Sequence, residues 1–242
     1  MRKTTIIFPP TNLSRIESAV NQLPLFRSKH DCFDVPAFGN NPAREFKNAE
    51  EMEAYLRIAC QQPFGIKEHH ATEHHYDFRL GWNGVLKSWA IPKGPSFCPD
   101  HCRKAIEVED HRRKYLGFEG VYADGKPGAG PTMLWDRGIW LPQTGYFDVD
   151  KALRNGKLRF ILRGAKLKGK WTLHRTGNVT YGGNLVWLLT KEFDSYARGR
   201  NEIEIVEERP ESVSSGDTLE KVAFGWHEGK RKIKSEATLF EM

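Results

Sequence analysis

One segment, residues 75–91 with the sequence HYDFRLGWNGVLKSWAI, constrains the fold of this chain more than any other. At its centre is the pair Asn83-Gly84, which is favoured in type I′ turns because both central residues of such a turn need a positive φ. The turn joins two strand-like runs of similar length. The segment therefore predicts a β-hairpin.

The residues around this hairpin also have a strand-like sequence pattern. From Phe64 to about Arg198, short apolar stretches alternate with glycine, proline and asparagine, a pattern typical of antiparallel β-structure. Many short strands around one core favour a barrel or a sandwich. Besides the hairpin, we expect strands at residues 104–109, 132–140, 157–162, 169–175 and 184–191, and a short helix at 148–155.

The segments before and after this β-rich region have a different character. Residues 1–63 predict a lead-in with short helices near 12–22 and 49–61, where apolar residues recur at helical spacing. Residues 201–242 are polar and highly charged, with a short helix expected at LEKVAFGW and a partly mobile end. We therefore expect a lead-in, a single compact β-domain over 64–200 and a C-terminal tail.

Composition excludes several classes of protein. Of the 242 residues, 39% are hydrophobic, which suffices for one substantial core. No apolar run approaches the roughly 18–20 residues that cross a bilayer, and Pro9 and Pro10 end the short apolar run near the N-terminus, so we expect neither a membrane span nor a secretory signal. The four cysteines form no CxxC pair and fit reduced thiols of a cytoplasmic protein better than a zinc site.

The chain carries a net charge of +6, with an isoelectric point of about 9.1. This sign is the one expected of a protein whose partner is rich in phosphates. A solvated basic surface explains the same excess in an arbitrary protein, so charge alone only modestly favours nucleic-acid binding.

Alternate side chains of a strand point to the same face, and this rule divides the first strand of the hairpin into two sets. One set is apolar and suits the core: Tyr76, Phe78 and Leu80. The other places an imidazole, a carboxylate and a guanidinium in a row, each about 6–7 Å from the next: His75, Asp77 and Arg79. An ordinary solvent-exposed face is one interpretation of this row, and a ligand-binding face is the other.

His69 precedes His75 by six residues, and a loop of that length can fold it back beside the strand. Two neutral imidazoles and the carboxylate of Asp77 suit a borderline divalent cation such as manganese, with water in the remaining positions. His70 and His74 are rival ligands. By alternation His74 points away from His75, and a surface position is the simpler interpretation of both rivals.

A metal beside Arg79 suits phosphate chemistry. The cation polarises a phosphoryl oxygen or activates a water, while a guanidinium holds a second oxygen in bidentate fashion. Four further donors follow the next strands, although spacing alone makes each of them more typical of a surface: Lys93, Arg103, His111 and Tyr115.

The same segment resembles the 3′-phosphoesterase domain of bacterial DNA ligase D and its free-standing relatives. The resemblance is continuous from about Phe64 to Arg198 and rests on four motifs: HHYDFRLGWNGVLKSWAIPKGPS at 74–96, EVEDHRRKY at 107–115, FEGVYADGKPGAG at 118–130 and WDRGIW at 135–140. It implies a β-barrel-like fold with flanking helices, manganese as the favoured metal, and action on the 3′ ends of DNA. Such domains remove a 3′-terminal ribonucleotide in steps and hydrolyse a 3′-phosphate, leaving a 3′-OH.

The resemblance also implies roles for individual residues. The metal ligands of the family fall on His69, His75 and Asp77. The phosphate-contacting and catalytic residues fall on Arg79, His111 and Tyr115, and the supporting basic residues fall on Lys93 and Arg103.

This chain departs from the family pattern at two places. Residues 1–63 do not align with the short charged arm that contributes to activity in better-known members. A glutamine often found two residues before the first metal histidine is replaced by Lys67. An added cation there would strengthen phosphate or DNA binding, or change the balance between diester and monoester cleavage.

From these patterns we interpret the protein as a stand-alone, manganese-dependent 3′-phosphoesterase that prepares DNA ends for repair. Its expected partners are DNA 3′ ends on a primer–template and a separate DNA ligase or end-binding protein, and we expect a monomer. Two alternatives stay open: a non-catalytic DNA-end-binding protein, and a phosphoesterase that acts on RNA or on small phosphorylated molecules.

Overall fold

The computed structural model describes residues 62–123, 125, 128–143 and 148–227, together with three short strands nearer the N-terminus. These strands form an antiparallel sheet in the order β1-β2-β3: β1 Phe26–Arg27, β2 Phe33–Val35 and β3 Arg44–Phe46. The helices expected near 12–22 and 49–61 lie outside the described residues.

Nine further strands follow in the C-terminal direction. They are β4 Gln62–His70, β5 His74–Trp82, β6 Val85–Ile91, β7 Arg103–Arg112, β8 Gly120–Tyr122, β9 Gly130–Pro142, β10 Lys157–Gly164, β11 Lys168–Tyr181 and β12 Asn184–Lys191. Eight of them form an antiparallel ring in the order β10-β11-β12-β7-β6-β5-β4-β9, and pairing of β9 with β10 closes it. The short strand β8 adds to β9 outside the ring. The chain is therefore mainly β, and of the two expected architectures the barrel is the one observed.

The predicted hairpin is confirmed as β5–β6, with Trp82 paired to Val85 across the turn. Asn83 and Gly84 have φ angles of 47° and 82°, the positive values that a type I′ turn requires. All five other predicted strands are present, most of them longer than their apolar cores suggested. The predicted helix is α1, Val149–Arg154, which begins after Asp148, whose side chain accepts a hydrogen bond from the Lys151 amide.

One barrel strand, β4, was not among the predicted strands. Its inward residues are the fully buried Phe64 and Ile66, but they alternate with Gly65, Lys67 and His69 and are followed by a polar run. The expected six-residue loop between His69 and His75 is in fact the end of β4, a three-residue turn at 71–73 and the start of β5.

Aromatic side chains fill the interior of the barrel. The expected core set of β5 is buried there, and five tryptophans are 2% exposed or less: Trp89, Trp135, Trp140, Trp171 and Trp187. A buried indole N–H needs an acceptor. Trp140 donates to the carbonyl of Gly81 over 3.0 Å, and Trp187 donates to the carboxylate of Glu107 over 2.7 Å.

Part of the chain after residue 200 packs against the barrel. It contains α2, Ile205–Glu208, and α3, Leu219–His227. Ile205, Leu219 and Val222 belong to the buried core cluster, and α3 coincides with the helix expected at LEKVAFGW. No helix among the described residues combines the length and the apolar character needed to cross a membrane.

Candidate metal centre and phosphate site

The pairing of β4 with β5 aligns the candidate side chains on one face of the barrel wall. His69 lies opposite His75, Lys67 opposite Asp77, and Gly65 opposite Arg79. Because Tyr76 and its alternate neighbours fill the core, these side chains point outward. They are nevertheless mostly buried. The segment from the 3-10 turn Arg113–Tyr115 through β8 packs over Gly65, Lys67 and His69 on this part of the wall.

His69, His75 and Asp77 form the group of side chains that can hold a metal ion in the described part of the chain. One ligand atom from each lies within 4.8 Å of the other two. Nδ1 of His69 is 3.7 Å from Oδ2 of Asp77, and Nε2 of His75 is 3.5 Å from Oδ1 of the same carboxylate. Two imidazole nitrogens and a carboxylate oxygen are a donor set that suits a divalent transition metal.

Backbone carbonyls fix the orientation of both imidazoles. Nε2 of His69 is 3.0 Å from the carbonyl oxygen of Gly128, and Nδ1 of His75 is 2.9 Å from that of Glu73. A carbonyl only accepts hydrogen bonds, so each of these nitrogens carries the proton and donates. In the neutral rings the lone pairs then lie on the two nitrogens nearest Asp77. Metal-binding histidines are held in this way by a partner of the second nitrogen, so the residues present fit a divalent cation.

The electrostatics of the triad favour the protonation states that ligation needs at His69 and Asp77, and favour the protonated form of His75. Burial lowers the pKa of His69 to about 4, against the opposing charge of Asp77, so this imidazole is neutral near pH 7. Burial would raise the pKa of Asp77, but the hydrogen bond with His75 and the charge of Arg79 outweigh it and hold this pKa well below its usual range. Burial lowers the pKa of His75, yet its contacts with Asp77 prevail and the net shift is upward.

Arg79 supplies unused hydrogen-bond donors beside the triad. The side chain is 5% exposed, and its Nη2 donates to Oδ2 of Asp77 over 2.9 Å. Its Nε and Nη1 have no hydrogen-bond partner among the described residues. Buried polar groups in proteins are almost always paired, and a guanidinium with two unpartnered nitrogens matches the oxygens of a phosphate. The candidate metal ligands and these candidate phosphate donors are therefore adjacent.

His111 joins this cluster from β7. It pairs with Leu86 of β6, next to a bulge between Leu86 and Ser88. Burial lowers the pKa of His111, the positive charge of Arg79 lowers it further, and Asp77 opposes both. Both charges therefore lie near the ring, and Nδ1 of His111 has no partner among the described residues.

Tyr115 and Lys67 meet at the edge of the cluster. Tyr115 ends the 3-10 turn with 37% of its surface exposed, and its backbone carbonyl accepts a hydrogen bond of 3.4 Å from Nζ of Lys67. Lys67 itself is completely buried. The sequence pattern predicts phosphate or DNA binding for Lys67, whereas the structure places its ammonium against the Tyr115 carbonyl and the Tyr122 hydroxyl.

The other two basic candidates lie outside the contacts of this cluster. Lys93 is exposed in the turn that follows β6. Arg103 forms an ion pair with Glu204 and lies two residues before the core residue Ala105, on the inward face of β7. Glu204 is remote in sequence from Arg103, so no local sequence pattern predicts this ion pair.

Sequence reasoning missed three groups of the site. Two are the backbone carbonyls of Gly128 and Glu73, which carry no side-chain signal. A glycine-rich loop often marks a close backbone approach, and the run around Gly128 was the available hint. The third is Thr132, which lies opposite His69 on β9 and has a buried hydroxyl with no partner among the described residues.

Comparison with known proteins agrees with the motifs. The family described as the DNA Ligase D 3′-phosphoesterase domain matches residues 67–175. The multifunctional non-homologous end joining protein LigD of Pseudomonas aeruginosa is 44% identical over 154 residues, which cover 64% of this chain and 18% of that protein. LigD of Mycobacterium tuberculosis, a multifunctional non-homologous end joining DNA repair protein, is 41% identical over 116 residues, 47% of this chain and 14% of that protein.

The chain thus spans less than a fifth of the length of these relatives. The matched region contains the triad, Arg79, His111 and Tyr115. Residues 67–175 therefore belong to the DNA Ligase D 3′-phosphoesterase domain family.

Proposed function

We propose that this protein is a manganese-dependent 3′-phosphoesterase that removes 3′-terminal ribonucleotides and 3′-phosphates from DNA ends and leaves a 3′-OH. The observation that carries the proposal is the juxtaposition in β5 of a candidate metal ligand and a cation with unused donors. Asp77 belongs to the triad, and Arg79, which contacts it, presents two unpartnered buried nitrogens, Nε and Nη1. One site can thus engage a divalent cation and a phosphate together.

His69, His75 and Asp77 would hold the metal. Manganese suits this set because imidazole nitrogen and carboxylate oxygen are both acceptable to a borderline divalent ion. When bound, such an ion polarises a phosphoryl oxygen as a Lewis acid. The carbonyls of Gly128 and Glu73 keep both imidazoles aimed at the ion position.

The other residues bind and orient the phosphoester. In hydrolysis, a water oxygen forms a bond to phosphorus and the ester oxygen leaves with a proton. Arg79 would donate Nε–H and Nη1–H to phosphoryl oxygens, whose charge grows during this step. His111, neutral near pH 7 because of its lowered pKa, would donate a further N–H. Tyr115 would hold a phosphate oxygen or position the terminal nucleotide.

The choice of DNA ends as the substrate draws on the relatives. Two similar proteins are named for non-homologous end joining, a process that acts on broken DNA ends. The net charge of +6 has the sign that attracts a polyanion. The proposal includes action as a cytoplasmic monomer beside a separate ligase or end-binding protein.

The test uses a labelled primer–template that ends in a 3′-phosphate or in one 3′-ribonucleotide. We expect a 3′-OH product with manganese and none with EDTA. His75→Ala should abolish the reaction because it removes a ligand. The matched control is His74→Ala, since His74 contacts Glu68 rather than the triad and its loss should leave turnover intact.

The outcomes separate the alternatives. A 3′-OH product in EDTA, or full activity of His75→Ala, would refute the assignment. Binding of the primer–template without any metal-stimulated cleavage would identify a DNA-end-binding protein. A clear preference for RNA or for a small aryl phosphate over both DNA substrates would identify a phosphoesterase of another class.

A further inference from the structure

Lys67 is a fully buried cation beside the metal centre. Its exposure is 0%, it pairs with Asp77 across β4 and β5, and it lies two residues before His69. Burying an ammonium group is costly unless hydrogen bonds and the faces of aromatic rings compensate for the lost water. The contacts of this ammonium therefore indicate what holds it in place.

Four of these contacts are to one segment of the chain. Nζ of Lys67 lies 3.4 Å from the carbonyl oxygen of Tyr115 and 3.4 Å from the hydroxyl of Tyr122. It also lies 5.1 Å from the ring centroid of Phe118 and 5.4 Å from that of Tyr122, within the range of cation–π attraction. A single ammonium thus connects the 3-10 turn, the loop and β8, which together we call the covering segment, residues 113–122.

The covering segment packs directly on the outer wall beneath it. A side chain at Gly65 would place its Cβ 2.5 Å from Cδ1 of Leu116, so glycine at this position permits the close approach. The ring of Tyr122 meets that of His69 edge-on, with centroids 5.9 Å apart. The segment therefore touches a metal ligand and also carries Tyr115.

We propose that Lys67 is a positioning residue, whose ammonium fastens the covering segment to β4 and thereby fixes Tyr115 at the edge of the active site. This inference deepens the proposed function and rests on it for the role of Tyr115. It replaces the expectation of direct phosphate contact, because Lys67 lies under the covering segment and reaches substrate only if that segment lifts. Tyr115 is the group that meets the substrate, and Lys67 acts through it.

Lys67→Met is the informative variant. Methionine keeps the unbranched apolar stem and a similar volume but removes the charge and the donors, so the buried wall stays filled. Tyr122→Phe is a milder second variant, since it removes one acceptor and keeps the ring. Lys157→Met, at the exposed start of β10, is the control for losing a lysine.

The first measurement is hydrogen–deuterium exchange of the metal-free proteins, which needs no catalytic activity. In Lys67→Met, amides of residues 113–122 should exchange about tenfold faster as the segment opens locally, while those of the β5–β6 hairpin stay unchanged. Tyr122→Phe should show a smaller increase in the same segment, and Lys157→Met none. Unchanged exchange at 113–122 in Lys67→Met, with the fold intact, would overturn the proposal.

The second measurement is a double-mutant cycle in the 3′-phosphate assay. Lys67→Met should lower kcat/KM by about tenfold because Tyr115 is misplaced, and the Lys67→Met/Tyr115→Ala double variant should be no worse than Tyr115→Ala alone. If the reductions in kcat/KM of the two single variants multiply in the double variant, Lys67 acts on the phosphate or metal directly. That result would overturn the positioning role. If the parent protein has no phosphoesterase activity, the proposed function fails, and exchange still decides whether Lys67 fastens the segment.

Discussion

Two carboxylates are buried in the barrel wall, Asp77 in β5 and Asp136 in β9, and their surroundings differ in kind. The oxygens of Asp136 accept hydrogen bonds from three backbone amides, those of Arg137, Lys166 and Leu167, over 2.8–2.9 Å. Asp77 lies instead among the side chains of His69, His75 and Arg79.

The difference separates a carboxylate that cross-links the fold from one that belongs to the candidate metal centre. Around Asp136 the amide donors find an acceptor, and the result is a cross-link between β9 and the turn from β10 to β11. Around Asp77 the charges are balanced, but lone pairs and N–H groups are left over on the neighbouring side chains. Donors and acceptors without a hydrogen-bond partner beside a buried charge, rather than burial itself, distinguish the candidate site.

Asp77→Asn should have the largest effect on function. The amide keeps the shape but removes the negative ligand, so manganese binding should become undetectable by calorimetry and kcat/KM should fall by about 10³-fold or more. The free energy of unfolding of the metal-free protein should also fall, because the buried Arg79 loses its charged partner. Normal metal affinity in Asp77→Asn would remove the distinction between the two carboxylates.

Arg79→Lys should lower kcat/KM by about 10²-fold, because an ammonium keeps the charge but loses the two unpartnered donors of the planar fork. Manganese affinity should be nearly unchanged, since the triad is intact. Calorimetric titration with manganese, run beside the phosphatase assay, measures both quantities. A parallel loss of metal binding and activity would mean that Arg79 supports the triad instead of the phosphate.

Asp136→Ala should lose stability but retain metal binding and activity. Three buried amides lose their acceptor, at about 1–3 kcal/mol for each unsatisfied group, so the free energy of unfolding in urea should fall by about 3 kcal/mol or more. Manganese affinity, measured at a temperature where the variant is folded, should equal that of the parent. A selective loss of metal binding would place Asp136 within the functional site.

The smallest expected effect is a difference in pH dependence. Burial raises the pKa of Asp136 to about 6, above the ordinary value of 3.8, despite the three amide donors. The folded state then holds this proton more tightly, so stability from this group is present below about pH 4 and declines as the pH rises to 6. Asp77 has a lowered pKa, so its stabilisation is present above the unfolded pKa and is lost as the pH falls.

Urea unfolding between pH 4 and 7 measures this contrast. The decline of stability with rising pH that comes from Asp136 should be absent in Asp136→Asn, which has no proton to lose. If the free energy of unfolding has the same slope against pH in parent and variant over this range, the carboxyl titrates normally. The hydrogen bonds from its three backbone amides would then outweigh the effect of burial on its pKa.

Many residues of the candidate site could be predicted from the sequence because their positions depend on local geometry. The alternation of β5 separates Tyr76 and Phe78 from Asp77 and Arg79, and the Asn83-Gly84 pair fixes the hairpin. The structure brings the three predicted metal ligands together. These predictions succeed because strand periodicity and turn chemistry act over a few residues.

What could not be predicted depends on contacts between distant segments. Lys67 is buried only because residues 113–122 fold over β4, and Arg103 is paired by Glu204 from beyond the barrel. The strand β4 itself is defined by its pairing with β9 as much as by its own residues. Local patterns contain no information on which of several basic residues a remote segment will cover.

The arrangement of the ligands along the chain bears on how the protein folds. All three come from residues 69–77, in a hairpin closed by the turn at 71–73, whereas completing the ring joins remote residues such as Arg103 and Leu189. Local contacts form early because closing a short loop costs little conformational entropy, whereas non-local strand pairing is slow. The three candidate ligands can therefore come together before the ring is complete, and an ion bound to this hairpin in the unfinished chain would favour the register that the finished protein needs.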